Sequence, residues 1–186
     1  MNKILPPPRR NSHMEMEEIY FWTATIHQWN KLLLDDSYKE IVLNSLCYLS
    51  AKKLVDTFAF VVMPNHLHFI WRLNKLNGKQ SPHHSFLKHT AQAFKHKLTC
   101  ENPARLLPFM VNTANKKYQF WKRDSLAIRL YNRQIAYQKL DYLHNNPLAG
   151  RWQLAADACS YNYSSAPFYE QNKNRFSFLK DLRGEF

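Results

Sequence analysis

The chain has 186 residues, of which 45% are hydrophobic and 15% aromatic, so it is long enough to form one domain with a substantial core. Its 26 Lys and Arg residues exceed its 14 Asp and Glu residues and give a net charge of +12, which favours a polyanionic partner, most often nucleic acid. The three widely spaced cysteines form no CxxC zinc pattern, and three glycines are too few for a Gly-rich phosphate loop.

The chain lacks an apolar run of the ~18 residues that a membrane-spanning helix needs. Prolines and arginines stand near the N-terminus where an export signal needs an apolar core, so we expect a cytoplasmic protein with no membrane partner. By organisation we expect a flexible arm over residues 1–17, one domain over residues 18–150, and a tail over residues 151–186 that packs back on the domain.

Hydrophobic periodicity predicts alternating strands and helices. Ser37 and Glu40 form a capping-box pattern at the start of the first helix, and Pro64 and Asn65 form a tight turn between two strands. In chain order the predicted elements are a strand Ile19–Gln28, a helix from Ser37 to about Lys53, strands Val55–Met63 and His66–Leu73, a helix over about Ser85–Thr99, strands Tyr118–Lys122 and Leu126–Tyr131, and a helix over about Asn132–Asn145. The order β-α-β-β-α-β followed by a helix predicts an α+β fold: a ferredoxin-like split βαβ arrangement, with two helices on one face of a central antiparallel sheet.

The strand that begins at His66 carries a second histidine at His68. Side chains alternate along a strand, so the two imidazoles project from one face, roughly 6.6 Å apart, while Leu67 and Phe69 project from the other. Two imidazoles on one face at the start of a strand can hold one divalent metal. A His-x-His pair also arises easily by chance in a chain with nine histidines, so the pattern needs support from elsewhere.

The last predicted helix offers that support. Its apolar stripe runs through Leu140 and Leu143, and Tyr142 falls at least about 100° from the centre of the stripe. Pro147 ends the helix, so Asn146 lies at a helix end with its side chain free to turn toward a ligand.

Basic side chains cluster in two segments. Lys88 and Lys95 form a flank of the second helix, which is either a DNA-contacting surface or an ordinary solvated face. Aromatic residues are interleaved with the second group, so phosphate contacts and base stacking are both expected there. That group consists of Lys116, Lys117, Lys122, Arg123, Arg129 and Arg133.

The segment MPNHLHFIW, followed by YLHNNPLAG, resembles the motifs of IS200-like single-tyrosine HUH transposases, in particular the MPNHxH and YxxxNP pattern of their REP-associated branch. The resemblance covers roughly residues 20–150. The later YNYSS resembles a downstream WPxSS-type segment of that branch but lacks its tryptophan and proline.

The resemblance implies an HUH endonuclease fold in which His66 and His68 bind a divalent metal, Mg²⁺ or Mn²⁺, and Asn146 completes the metal site. It implies that Tyr142, on a C-terminal nucleophile helix, attacks single-stranded DNA next to hairpin-forming palindromes, giving a 5′-phosphotyrosine intermediate that can be rejoined. Within the family both monomers and active-site-exchanging homodimers occur, so both states stay open here.

Two other interpretations compete with the transesterase. A domesticated relative that binds a DNA hairpin without cutting it would keep the basic surface and the fold. A zinc hydrolase or structural zinc protein would need a third strong ligand near His66, and the sequence offers neither a nearby cysteine nor an HExxH helix.

Overall fold

The computed structural model describes residues 13–186. Most of the predicted flexible arm, residues 1–12, therefore lies outside the described residues. At its end Met14 is buried against the main core, and the backbone N–H of Glu17 donates to the carbonyl of Leu73 over 2.7 Å.

The predicted strands and helices occur in the predicted order, and the structure adds a strand over 110–113 and a helix over 166–171. The bounds are β1 Ile19–Thr25, α1 Asp36–Ala51, β2 Val55–Val62, β3 His66–Leu73, α2 Pro82–Glu101, β4 Met110–Thr113, β5 Lys116–Tyr118, β6 Leu126–Arg129, α3 Arg133–Asn145 and α4 Ala166–Gln171. Short 3₁₀ turns join several of them, including Asn146–Leu148 directly after α3.

The main sheet has the strand order β2-β3-β1-β6, and every neighbouring pair is antiparallel. This is the ferredoxin-like arrangement, because β1-α1-β2 and β3-α2-β6 form two split βαβ units around the central strands β1 and β3. The predicted fold is confirmed, and the two histidines lie on a central strand as expected.

Alternation along the strands divides the core into two layers. On one face Trp22 of β1 and Phe69 of β3 pack with Phe86 of α2, between the sheet and helices α1 and α2. On the other face, Phe21 belongs to a second core layer. Helix α3 covers this layer with Leu140 and the other apolar residues of its buried stripe. Helix α3 and the histidine side chains therefore share one face of the sheet, opposite α1 and α2.

Some local predictions were wrong. Asp35, and not Ser37, caps α1, since its Oδ1 accepts the Ser37 backbone N–H over 3.0 Å. Helical periodicity also predicts that Tyr48 is buried beside Leu49, but Tyr48 is 55% exposed, because the buried face of α1 is centred on residues such as Leu46 and Leu49. The polar surroundings of His83 in the sequence predict a solvated or phosphate-contacting side chain, but His83 is buried in an edge contact with Trp22.

The region before β6 also differs from its prediction. The segment 110–113 was expected to be a loop but forms β4, which pairs with β5 in a separate two-stranded hairpin. The predicted strand Tyr118–Lys122 ends at Tyr118. Beyond it Trp121 is drawn into the core, where its indole Nε1 donates to Thr90 Oγ1 over 2.9 Å.

The C-terminal segment packs on the domain. The Tyr161 hydroxyl donates to the Val62 carbonyl over 2.7 Å, and the backbone N–H of Val62 donates to the carbonyl of Tyr163 over 2.9 Å. Leu182 is fully buried in the layer under α3. Among residues 13–186, no helix combines the length and the apolar character that crossing a membrane requires.

Candidate active site

His66 and His68 lie side by side on β3, with ring centroids 4.9 Å apart and 5% and 4% of their surfaces exposed. They share the sheet face with Phe21, whose ring stacks on His68 at 5.0 Å. The predicted projection of both imidazoles from one face is thus observed.

A hydrogen bond orients each imidazole. Nδ1 of His66 lies 2.7 Å from Oδ1 of Asn65, and because a carbonyl oxygen only accepts, this nitrogen carries the proton. Nδ1 of His68 lies 2.7 Å from the hydroxyl of Thr23, which pairs with it across β1 and β3. When Nδ1 is the donor in both rings, each Nε2 carries the lone pair that a metal would bind, and a hydrogen bond at the other nitrogen is typical of metal-binding histidines.

Burial keeps both histidines neutral. It lowers the pKa of His66 to about 4, the cation of Arg151 acts in the same direction, and a hydrogen bond with Asn146 opposes them. Burial also places the pKa of His68 well below its usual range, helped by His66 and by the cation of Lys139. At neutral pH each imidazole therefore has the uncharged form that coordinates metals.

Asn146 comes from the turn that follows α3 and is buried with the histidines. Its side-chain nitrogen lies 3.2 Å from Nε2 of His68. A half-turn of the amide presents Oδ1 instead of Nδ2 with little change in shape. The residues therefore fit a divalent ion bound by two imidazoles and one amide oxygen, a donor set suited to Mn²⁺ or, more weakly, Mg²⁺.

The zinc interpretation gains no ligand from the tertiary structure. Across the described part of the chain, no group of three or more His, Cys, Asp and Glu side chains is placed to hold a metal. A third strong ligand of the kind that zinc sites use does not join His66 and His68 there.

Tyr142 stands over this site from α3. Its ring centroid lies 5.5 Å from that of His68 and 5.9 Å from that of Phe21, and 53% of its surface is exposed. The ammonium of Lys139 lies 5.7 Å from its ring. Tyr142 and both histidines come from one chain, so a single copy brings the tyrosine to the histidines.

The other tyrosines of this region lie elsewhere. Tyr131 is on the surface, and Tyr137 stacks under the guanidinium of Arg133. His144 is buried, and its Nε2 is hydrogen-bonded to Ser165 Oγ over 2.9 Å.

An open groove of about 310 Å³ contains the histidines and Tyr142. Three basic side chains line it, from the loop before β6, from α3 and from the segment after α3: Lys122, Lys139 and Arg151. One acidic residue, Asp124, also lines the groove. The groove is therefore positively charged beside a tyrosine hydroxyl that solvent can reach.

The structure separates the predicted DNA-binding residues. Lys122 alone among them lines the groove. Lys88 and Lys95 are exposed on α2, which covers the other face of the sheet, and Arg129 is engaged in an ion pair with Glu18. Lys116 and Lys117 lie on the β4–β5 hairpin, Arg123 is exposed in the loop that follows, and Arg133 opens α3.

The sequence analysis did not predict a role at the site for four residues. Thr23 and Asn65 orient the histidines, and Lys139 and Arg151 supply charge. Asn65 and Lys139 stand near His66 and Tyr142 in the chain, so attention to the neighbours of those motif residues would have found them. Nothing local marks Thr23, because only the β1–β3 register places it beside His68.

The fold and the site geometry define a class of architecture: a ferredoxin-like antiparallel sheet whose central strand presents two histidines to a tyrosine-bearing helix. No protein-family model matches the chain, and no curated protein matches it. A solved structure of a REP-associated tyrosine transposase bound to a REP hairpin is similar, with a TM-score of 0.60 over 95% of this chain and 91% of that one. Sequence identity over that match is 15%, so the likeness establishes a shared fold.

Proposed function

We propose that the chain is a metal-dependent tyrosine DNA transesterase of the transposase type, which cleaves and rejoins single-stranded DNA next to hairpins. The observation that carries the proposal is the position of Tyr142 in a basic groove. Its ring centroid lies 5.5 Å from that of His68, one of two buried and neutral histidines. The similar solved structure is a tyrosine transposase bound to a DNA hairpin, which supports the same kind of substrate here.

In the proposed reaction the Tyr142 oxygen attacks the phosphorus of a DNA phosphodiester. A bond forms between the tyrosine oxygen and phosphorus, the bond from phosphorus to the 3′ oxygen breaks, and the phenol proton passes to solvent while the 3′ oxygen takes up a proton. The products are a 5′-phosphotyrosine and a free 3′-hydroxyl. Because the phosphodiester energy is kept in the new linkage, attack by a 3′-hydroxyl reverses the step without a nucleotide cofactor.

His66, His68 and Asn146 would hold the divalent ion, which supplies Lewis-acid polarisation of the phosphate when bound. The remaining work falls to the chain's own residues. Thr23 and Asn65 fix the imidazole rings, while the cations of Lys139 and Arg151 attract the phosphate backbone and offset its charge.

The test uses labelled single-stranded hairpins taken from DNA beside the protein's own gene, incubated with Mn²⁺ or Mg²⁺. A denaturing gel detects covalent protein–DNA product, and mass spectrometry maps it. We expect an adduct on Tyr142 that is absent in Tyr142→Phe and in His66→Ala. Salt-sensitive hairpin binding with no adduct under either metal would refute the transesterase and leave the hairpin-binding protein as the function.

A further inference from the structure

A second cavity, here called the tryptophan cleft, opens beside the catalytic groove. It has a volume of about 330 Å³ and is lined by Trp29, Lys31, Asn65, Arg151 and Trp152. Trp29 and Arg151 also line the groove that contains His66, His68 and Tyr142, so the two spaces are adjacent. A chain that crosses Tyr142 can therefore extend into the cleft.

The backbone holds Trp29 outward in an unusual conformation. Gln28 and Trp29 have φ values of 52° and 58°, the left-handed region that side chains other than glycine rarely adopt. Yet 51% of the Trp29 surface is exposed, so core packing does not explain this conformation. Backbone strain of this kind concentrates where a ligand is held.

Asn65 connects this loop to the histidine pair. Its Oδ1 accepts the Nδ1 proton of His66, while its Nδ2 lies 3.3 Å from the carbonyl oxygen of Trp29 and donates to it. Its own carbonyl accepts the backbone N–H of Ile26 over 2.8 Å. One side chain thus sets the position of Trp29 relative to His66.

Trp152 forms the other side of the cleft, with its ring 6.0 Å from that of His66. Arg151 and Lys31 place cations 5.5 and 6.0 Å from the Trp152 ring, and Lys122 places one 5.8 Å from the Trp29 ring. Within the described part of the chain, the buried Nε1 of Trp152 has no hydrogen-bond partner. The cleft therefore combines two indoles and two cations, and the cation of Lys122 lies at the Trp29 ring from the neighbouring groove.

These features match one unpaired nucleotide better than an apolar ligand. Bases stack on indole faces in every sequence context, and the adjoining phosphates need nearby cations. We propose that the tryptophan cleft binds one unpaired base next to the phosphate that Tyr142 attacks, with Trp29 as the stacking platform and Arg151 near the intervening phosphate. This inference rests on the proposed function, because the cleft is defined relative to the cleaved phosphate.

The experiment measures binding of hairpin DNA with a single-stranded extension, in which one abasic nucleotide is moved stepwise along the extension. Tyr142→Phe protein is used, so that cleavage does not interfere. We expect one position where base removal weakens binding about 5- to 100-fold, the loss typical of one stacked base. In Trp29→Ala this position should lose its effect, and Trp29→Phe should largely restore it.

Tyr48→Ala is the matched control, since Tyr48 is an equally exposed aromatic residue on α1, across the sheet from the cleft. It should leave the abasic profile unchanged. The proposed base-binding role of the cleft is wrong if no abasic position weakens binding to the Tyr142→Phe protein. It is also wrong if the additional Trp29→Ala change leaves the dependence on abasic position unchanged. Formation of the covalent protein–DNA adduct by the unmodified protein is measured separately. If the adduct forms but no abasic position weakens binding, only the proposed base-binding cleft is rejected. If one abasic position weakens binding but no adduct forms, only the proposed cleavage is rejected.

Discussion

Asn146 and His68 are neighbours in space, with the Asn146 side-chain nitrogen 3.2 Å from Nε2 of His68. This contact joins the end of the helix that carries Tyr142 to the strand that carries both histidines. The end of α3 is thereby fixed against the sheet beside the histidine pair.

Replacing Asn146 should change metal affinity in a graded way. Asn146→Ala removes the proposed third ligand and should weaken Mn²⁺ binding at least about tenfold, whereas Asn146→Asp adds a carboxylate and should strengthen it. Titration calorimetry with Mn²⁺ measures both. Equal affinities in all three proteins would show that Asn146 is not a ligand.

Thr23 offers a test of histidine orientation. Thr23→Val removes the acceptor of the His68 Nδ1 proton, so Mn²⁺ affinity should fall about 10- to 100-fold and the free energy of unfolding by about 1–3 kcal/mol. Thr25→Val is the control, because Thr25 lies on the same strand face and its hydroxyl makes no hydrogen bond within residues 13–186. The assignment fails if the two variants bind Mn²⁺ equally well.

Removal of the Tyr142 hydroxyl should abolish covalent chemistry and spare the fold. Since the side chain is half-exposed, Tyr142→Phe should keep its melting temperature and its hairpin affinity, while adduct formation drops on the order of 10³-fold or more. Tyr131→Phe, on an exposed tyrosine outside the groove, should cleave at the wild-type rate. Near-wild-type cleavage by Tyr142→Phe would move the nucleophile to another residue.

Acid should destabilise the protein through its buried histidines. Burial lowers the pKa of His144 to about 4 from its ordinary 6.5, so between these pH values the unfolded chain binds a proton that the folded chain excludes. The free energy of unfolding therefore falls as the pH drops through this window, by about 3 kcal/mol for one such group. His144→Gln, which preserves a polar partner for Ser165, should show a shallower fall in urea unfolding between pH 7 and pH 4.5.

The matching control for His144 is His89→Gln, on an exposed histidine of α2. Its stability should follow the wild-type pH curve. An unchanged slope in His144→Gln would mean that His144 takes up its proton equally in the folded and the unfolded chain.

The salt dependence of DNA binding should identify the surface that the phosphates contact. A triple variant that combines Lys122→Gln, Lys139→Gln and Arg151→Gln neutralises the groove cations. It should reduce the slope of log affinity against log salt concentration by up to about 2, because each phosphate contact with a single strand contributes about 0.7. A double variant that combines Lys88→Gln and Lys95→Gln, on the opposite face of the sheet, should change this slope less. Binding titrations at several salt concentrations compare them, and a larger effect of the α2 pair would place the DNA there.

Local patterns in the sequence determined much of this protein. The alternation of β3 put His66 and His68 on one face, and the periodicity of α3 put Tyr142 away from the buried stripe. Both features depend on residues a few positions apart, whose geometry the strand and helix repeats dictate. The hairpin and its turn are equally local, and they appear in the structure where the sequence predicted them.

Only the tertiary structure decided what surrounds those residues. The register between β1 and β3 pairs Thr23 with His68, and the packing of the segment after α3 brings Arg151 to the groove and Trp152 to the tryptophan cleft. It also draws Trp121 into the core from a segment that was predicted to be a basic strand. Contacts between residues so far apart in the chain depend on the packing of the whole domain, which no local repeat encodes.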